Sequence, residues 1–318
     1  MTVYANVLRL LNILIKSIKA GGRKLRIAST IDEQVLGEIL TGIEKVSKFR
    51  DADIILMDMS IPSRVLLSKL EELNSNSLIM VLNAIVDINL QPELGKELSA
   101  KGFIRSLLPI DNGAALFIKR GYDVNFFRKT AEVYRESFIY GINPIDYNTA
   151  YVLYSLAKFI LAHRKGVVVE IGTGYGFSTL WLVHAAKETG SHVVSLDNNC
   201  DRIDYAVKVM RDLGLSNYVD ILCIDAKEYD HGIRNVIYTF IDGRKNEYHK
   251  YLEAIKNYLV SRALILAHNT LSSTHVIKPY IKKVHTSPYE SITIATDPSG
   301  LTISIYNDNF HIMAYHSK

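Results

Sequence analysis

The chain has 318 residues, a formal net charge of +4 and a hydrophobic fraction of 48%, which suit a folded protein large enough for two domains. Lys and Arg are not clustered, so we expect no strong nucleic-acid surface, although weak RNA contact stays open. The two cysteines, Cys200 and Cys223, lie in patterned α/β sequence. They favour neither a disulfide framework nor a cysteine-based zinc site, and we expect a reducing cytoplasm. The scarcity of Gln resembles proteins from hot environments.

The first predicted element is an amphipathic helix in the stretch VYANVLRLLNILIKSIKA. Arg9, Lys16 and Lys19 interrupt its apolar run, which is too short and too polar to span a bilayer. The stretch also lacks the small-residue cleavage site of a signal peptide. We therefore predict a helix that packs on the protein, with no membrane contact.

The rest of the first half alternates strand and helix patterns up to Gly121. In order, it reads RKLRIAS (strand), IDEQVLGEILTGIEKVSKF (helix), ADIILMD (strand), SRVLLSKLEELN (helix), SLIMVLN (strand), and FIRSLLP and AALFIKR around the turn IDNG. This order predicts a smaller α/β domain over residues 1–121. Residues 122–143 are interpreted as a linker.

The second half, residues 144–318, alternates more regularly. Asp146 is a plausible N-cap for the helix DYNTAYVLYSLAKFILAHRK. Strands are predicted at Val167–Glu170, His192–Asp197, Val219–Ile224, Val236–Ile241 and Ala263–Ala267, with helices at Asp201–Leu213 and Tyr248–Tyr258. SITIAT and LTISIY, joined by DPSG, read as a terminal hairpin. The pattern predicts a mostly parallel, doubly covered sheet with a C-terminal β-hairpin.

The two halves share a spacing of polar residues. Asp58 and Asn83 are 25 positions apart, and Asp242 and Asn269, which follow the same kinds of strand, are 27 apart. We interpret the first half as a degenerate partial repeat of the second, without a glycine-rich loop. The alternative is coincidence, because all α/β units share this order of elements.

The stretch VVVEIGTGYGFST contains three glycines at alternate positions directly after a strand that ends in Glu170. Glycine permits a tight turn and lets a ligand approach the backbone, and the free amides of the following helix favour a carboxylate or phosphate. Dinucleotide-binding loops read G-x-G-x-x-G, whereas Phe177 stands here in the place of the third glycine. The competing ligand is S-adenosylmethionine.

Five motifs in order carry a family resemblance: VVVEIGTGYGFSTLWL, VVSLDNN, VDILCIDAKEY, FIDGRKNEYHKYLEAI and ALILAHNTL. Together they resemble the class I S-adenosylmethionine-dependent methyltransferases, most closely the caffeoyl-CoA and catechol O-methyltransferase group. The resemblance covers residues 144–307, and the first half has no such match. It implies a Rossmann-like methyltransferase sheet in the second half.

The resemblance also implies a set of cofactor-binding residues. Glu170 would order the loop, Ser178 would bind the cofactor carboxylate, and Asp197 would accept both ribose hydroxyls. Asn198 would lie beside the adenine. The remaining implied contacts are Gly172, Thr173, Gly174 and Gly176 around the methionine part, and Asp225 and Ala226 at the adenine amino group.

At the reacting end, the resemblance implies that Asp242 is a metal ligand and that Lys245 is the base. The family's other two ligands are an Asp-Asn pair, and this chain has His268 and Asn269 there. Magnesium prefers oxygen ligands, whereas imidazole suits Zn, Fe, Co or Ni. Either another metal binds Asp242, His268 and Asn269, or no metal binds, or His268 is a general base.

We therefore expect an S-adenosylmethionine-dependent methyltransferase that modifies a small-molecule hydroxyl, with a divalent metal as an open question. The alternatives are a non-catalytic cofactor-binding protein, a methyltransferase acting on RNA or protein, and a nicotinamide oxidoreductase. The chain is expected to form a homodimer or an intramolecular pseudo-dimer of its two halves.

Overall fold

A computed structural model of the chain describes residues 4–37, 41–58, 73–83, 96, 98–121, 123–229 and 232–307. Its first half contains α1 (Ala5–Lys19), β1 (Arg26–Ser29), α2 (Glu33–Leu36), β2 (Glu44–Lys45), β3 (Ile54–Asp58), β4 (Leu78–Leu82), β5 (Phe103–Leu108) and β6 (Ala114–Lys119). Its second half contains α3 (Val124–Ile139), α4 (Tyr147–His163), β7 (Val167–Ile171), α5 (Phe177–Thr189), β8 (His192–Asp197), α6 (Cys200–Asp212), β9 (Val219–Cys223), β10 (Val236–Ile241), α7 (Tyr248–Lys256), β11 (Leu259–His268), α8 (Lys278–Val284), β12 (Tyr289–Ile294) and β13 (Leu301–Tyr306).

The second half builds a seven-stranded sheet in the order β12-β13-β11-β10-β7-β8-β9. All pairings are parallel except those of β13, which runs antiparallel to both β11 and β12. The sheet confirms the predicted Rossmann-like fold with a C-terminal hairpin. Its strand order reverses between β7 and β10, and a crevice at the carboxyl ends of these strands is where such sheets bind ligands.

The first half builds a separate six-stranded sheet in the order β2-β1-β3-β4-β6-β5. Its strands β3-β4-β6-β5 follow one another as β10-β11-β13-β12 do in the larger sheet. The residue after β4, Asn83, and the residue after β11, Asn269, are both left-handed, with φ of 56° and 60°. These correspondences support the interpretation of the first half as a partial repeat.

One predicted element of the first half is wrong. The helix expected over residues 31–49 is helical at Glu33–Leu36, but Gly42 then turns the chain at φ +69° and β2 follows. The amide of Glu44 donates to the carbonyl of Leu25, so β2 pairs with β1 instead of continuing a helix. The helix expected over residues 63–74 lies outside the described residues, apart from its last two positions.

One helix of each half contacts the sheet of the other half. Helix α1 packs against β11, β12 and β13 of the second sheet, and α4 packs against β5 and β6 of the first. Lys16 Nζ on α1 lies 2.6 Å from Glu290 Oε1 on β12. Arg164, at the end of α4, donates to the carbonyl of Ser17 at 3.0 Å. Each half therefore covers part of the other half's sheet.

The segment predicted as a linker contains helix α3. Asp123 caps it by accepting from the amide of Phe126, as an N-cap carboxylate does. The ring of Phe126 meets Trp181 edge-on at 5.2 Å, so α3 packs on α5 instead of spanning free space. Among the described residues, no helix combines the length and apolar character needed to cross a membrane.

Candidate active site

The glycine loop follows β7 directly and is held against the end of β10. Gly172 has φ +105°, and a Cβ added there would lie 2.5 Å from the carbonyl oxygen of Asp242. Gly174 is left-handed at φ +53°, and Gly176 at φ +88° caps α5. Because L side chains rarely adopt these angles, the loop requires glycine at these positions.

Glu170 lies beneath the loop with no exposed surface. Its carboxylate accepts hydrogen bonds from the hydroxyls of Ser178, Thr179 and Ser195, at 2.5, 2.5 and 2.6 Å. Burial raises the pKa of Glu170 to about 7, although the three hydroxyls act in the opposite direction. The predicted ordering role of Glu170 thus has a clear geometric basis, but the hydroxyl hydrogen of Ser178 points to Glu170 and not to the cavity.

Asp197 ends β8 and faces the glycine loop. Its Oδ2 accepts from the amide of Gly174 at 2.9 Å, and its Oδ1 accepts from the amide of Asn199 at 3.0 Å. Both oxygens keep further acceptor capacity, because a carboxylate has about four lone-pair sites. Asp225 lies beyond the neighbouring strand β9 and forms an ion pair with Lys227 at 3.2 Å.

A cavity of about 560 Å³ opens along this edge of the sheet. Of the residues predicted for the cofactor, those that line it are Gly172, Thr173, Gly174, Ser178, Asp197, Asn198, Asp225 and Ala226. Glu170 and Gly176 do not line it: Glu170 accepts from the lining residue Ser178, and Gly176 is the N-cap of α5. At one end the lining continues to the four residues predicted for chemistry, namely Asp242, Lys245, His268 and Asn269. The structure therefore brings the predicted cofactor and reacting groups into one site.

At the reacting end, Asp242 is paired with a lysine. Lys245 Nζ lies 2.6 Å from Asp242 Oδ1, and the hydroxyl of Tyr248 donates to the same oxygen at 3.3 Å. His268 Nδ1 lies 3.5 Å from Asp242 Oδ2. Burial would raise the pKa of Asp242, but the charges of Lys245 and His268 outweigh it, and the pKa is lowered.

The other nitrogen of His268, Nε2, lies 2.7 Å from Asp297 Oδ2. The same oxygen accepts from the hydroxyl of Thr149 at 2.8 Å. Burial would lower the pKa of His268, but Asp242 and Asp297 raise it to about 9. At neutral pH this favours the charged imidazolium over the free base that general-base catalysis needs.

Asp297 is a site residue that the sequence reasoning missed. It lies in the turn between β12 and β13, where its Oδ1 also accepts from the amides of Ser299 and Gly300. The signal that could have found it is Asp111, which occupies the matching turn of the first half and accepts from the amides at the start of α1. Ser299 also lines the cavity.

The expectation that the cysteines do not pair is wrong. Cys200 and Cys223 form a disulfide, with their Cα atoms 5.3 Å apart. The parallel pairing of β8 with β9 places Cys223 opposite Asp197, and α6 begins at Cys200 just after the same strand. Strand register therefore brings together two residues that are 23 positions apart.

Comparisons with known proteins concern the fold of the second half of the chain. Residues 169–270 match the family described as a methyltransferase domain. The fold is similar to the SAH-bound methyltransferase PaMTH1 of Podospora anserina, with a TM-score of 0.51 and 14% identity over 59% of this chain and 90% of that chain. It is also similar to the O-methyltransferase TomG of Streptomyces achromogenes, involved in tomaymycin synthesis and solved with SAM, with a TM-score of 0.50 and 16% identity over 59% and 92%. Comparison with the curated proteins gives no match.

Residues 169–270 therefore match a methyltransferase domain, and the second half of the chain has the fold of these solved methyltransferases.

Proposed function

We propose that the protein transfers the methyl group of S-adenosylmethionine to a hydroxyl oxygen of a small molecule. The observation that carries the proposal is that one cavity is lined by the glycine loop, by Asp197 and by Lys245. A cofactor held along the loop would present its sulfonium methyl toward Asp242 and Lys245. The solved relatives named above support the cofactor, and TomG supports oxygen as the acceptor atom.

The residues present do not fit the magnesium ion that the resemblance implies. Asp242 is the only carboxylate among the three expected donors, and Lys245 already compensates its charge at 2.6 Å. His268 supplies nitrogen where magnesium prefers oxygen. Among the described residues, no group of three His, Cys, Asp or Glu side chains is placed to hold a metal ion. We therefore write the reaction without a metal.

In this reaction the acceptor oxygen attacks the methyl carbon in line with the leaving sulfur. The new O–CH₃ bond forms as the S–CH₃ bond breaks, and the electron pair stays on sulfur, which yields S-adenosylhomocysteine. Asp242 holds the amino group of Lys245 in place, and Lys245 takes the hydroxyl proton once it has released one of its own to solvent. Positioning of the acceptor and general-base catalysis account for the rate enhancement in this proposal.

The test has two parts. Calorimetric titration with S-adenosylmethionine should give saturable binding, and Asp197→Ala should weaken it at least about tenfold because a charge-assisted hydrogen-bond acceptor is lost. Turnover on a panel of hydroxylated small molecules should then survive a chelator. Cofactor binding without turnover on any acceptor would favour a non-catalytic protein, and turnover on RNA or peptide alone would contradict a small-molecule acceptor.

Lys245 is tested separately from binding. Lys245→Met should lower kcat/KM by about 10²- to 10⁴-fold, the usual contribution of a general base, and leave the cofactor Kd unchanged. The matched control is Lys250→Met, which removes an exposed lysine on α7 outside the cavity. Equal rates for Lys245→Met and the control would overturn the role of Lys245.

We infer in addition that the first half acts as an internal partner of the methyltransferase domain. The mirrored strand order and the contacts of α1 and α4 with the sheet of the other half support this pseudo-dimer. In the first half, Asp58 accepts from the hydroxyl of Tyr4 at 2.8 Å and from Asn83 Nδ2 at 2.6 Å. Asp58 is the counterpart of Asp242 in the partial repeat, and these hydrogen bonds engage its carboxylate. We therefore assign the first half no reaction of its own.

A further inference from the structure

The Cys200–Cys223 disulfide joins the direct chain neighbours of two cavity-lining residues, Asn199 and Ile224. Cys200 is the first residue of α6, three positions after Asp197. Cys223 is the last residue of β9, two positions before Asp225. The bond thus ties together the two segments that carry the acids assigned to the ribose and the adenine.

The position of Asp197 depends on how these two segments meet. Past the end of the strands, the amide of Ile224 donates to the carbonyl of Asp197 at 2.9 Å and continues the ladder by one bond. On the other side, Asn199 caps α6 by accepting from the amide of Arg202. A covalent link at Cys200 and Cys223 limits the separation of the two segments, so that less ordering is needed when the cofactor binds.

Both cysteines have exposed side chains, so a small dithiol in solution can reach the bond. Reduction would break the S–S bond and give two protein thiols, while the reductant would give up two electrons and two protons and become a disulfide itself. The reacting end lies elsewhere in the cavity, so the change would act first on cofactor binding.

We propose that the Cys200–Cys223 disulfide positions Asp197 and Asp225 for the adenosine of the cofactor, and that its reduction weakens cofactor binding. This inference rests on the proposed function, because it takes S-adenosylmethionine as the ligand. On this proposal, the redox state of the two cysteines sets the affinity of the site for its cofactor.

The experiment is calorimetric titration of the full chain with S-adenosylmethionine, in the oxidised form and after dithiothreitol treatment, with the free thiols counted in each sample. Reduction should raise Kd by about fivefold or more, within the usual range for coupled sites. Because coupling is reciprocal, saturating cofactor should also make the bond harder to reduce by the same factor. Cys200→Ser and Cys223→Ser should each bind S-adenosylmethionine with the Kd of the reduced protein, and dithiothreitol should not change that Kd.

The outcomes separate the two proposals. An unchanged Kd after reduction, even with a lower Tm, would show that the disulfide is only a structural crosslink. That result would overturn the positioning role. Two free thiols in the untreated protein would overturn it as well. If the oxidised protein does not bind the cofactor at all, the proposed function is overturned too. If the wild type binds in both redox states and Asp197→Ala binds in neither, the proposed function stands.

Discussion

Glu170 shows how a buried acid can make the stability of the methyltransferase sheet depend on pH. Its pKa is about 7 in the folded chain against an ordinary value of 4.5, so the folded state holds the proton more tightly than the unfolded state. Stability from this source is full below pH 4.5 and falls as the pH rises to 7. The change amounts to roughly 3 kcal/mol at most, at about 1.4 kcal/mol per pKa unit.

Glu170→Gln should therefore flatten this part of the pH profile, because an amide does not ionise. The measurement is the free energy of unfolding from urea titrations across this pH range, for the wild type and the variant. Parallel profiles for the two proteins would contradict the assignment.

Gly172 gives a second prediction at the same scale. Gly172→Ala places a methyl group 2.5 Å from the carbonyl oxygen of Asp242, whereas Gly190→Ala, at φ +68°, meets nothing within 4 Å. Both variants carry the strain of a left-handed alanine, about 1 to 2 kcal/mol. Gly172→Ala should cost at least about 2 kcal/mol more than its control, since backbone must move to admit the methyl. Equal losses in thermal or urea unfolding would show that the loop has room there.

Residue types and their order predicted most of the residues that gather at one edge of the cavity, because parallel strands place their carboxyl ends at one edge of a sheet. Glu170 and Asp197 lie in the last two residues of such strands, and Asp225 follows one. Asp297 could not be predicted this way, because its contact with His268 spans 29 positions and depends on how the hairpin folds back. The disulfide was missed for a similar reason, since the pairing of β8 and β9 decides which residues face each other.

At the scale of elements, Asn148 joins three parts of the structure at the start of α4. Its Oδ1 accepts from the amide of Leu107 on β5, and its Nδ2 donates to the carbonyls of Leu107 and Thr296. Thr296 precedes Asp297, so the same side chain ties the first sheet to the hairpin turn that holds His268. The first half is thereby connected through Asn148 to the turn that contacts His268.

Asn148→Ala should lower the free energy of unfolding by about 2 to 3 kcal/mol, since three hydrogen bonds of about 1 kcal/mol each are lost. Asn257→Ala, at an exposed position after α7, is the matched control and should change stability by less than about 0.5 kcal/mol. Chemical denaturation of the three proteins provides the measurement. A loss no larger than the control's would mean that water replaces these bonds at no cost.

Element type was predicted well wherever apolar periodicity was strong, as in α1, α4 and the strands of the second sheet. It failed at β2, where Glu44 and Lys45 favour a helix by themselves. Pairing with β1 outweighs that local preference, because the register Arg26↔Glu44 and Ile27↔Lys45 satisfies the backbone of both strands. A two-residue strand carries too little pattern to be recognised from sequence.

At the scale of the whole molecule, the pseudo-dimer predicts one cofactor site and one chain per particle. The first half has no glycine loop after β1, and Asp58 is occupied by Tyr4 and Asn83. Calorimetry should give one S-adenosylmethionine per 35.9 kDa chain, and sedimentation equilibrium should give the mass of a single chain. Two sites per chain, or a stable particle of twice that mass, would contradict the internal pairing.

The contacts of α1 with the second sheet also bear on how the chain folds. Lys16 and Glu290 are 274 positions apart, so we expect α1 to complete its packing only after the C-terminal hairpin has formed. Until then we expect the apolar face of α1 to stay exposed, because contacts between distant parts of a sequence form late in folding. We expect a ribosome-bound nascent chain stopped before β12 to keep α1 accessible to protease, and release of the full chain to protect it. The packing of α1 on the second sheet would then be completed only when the last two strands, β12 and β13, have formed.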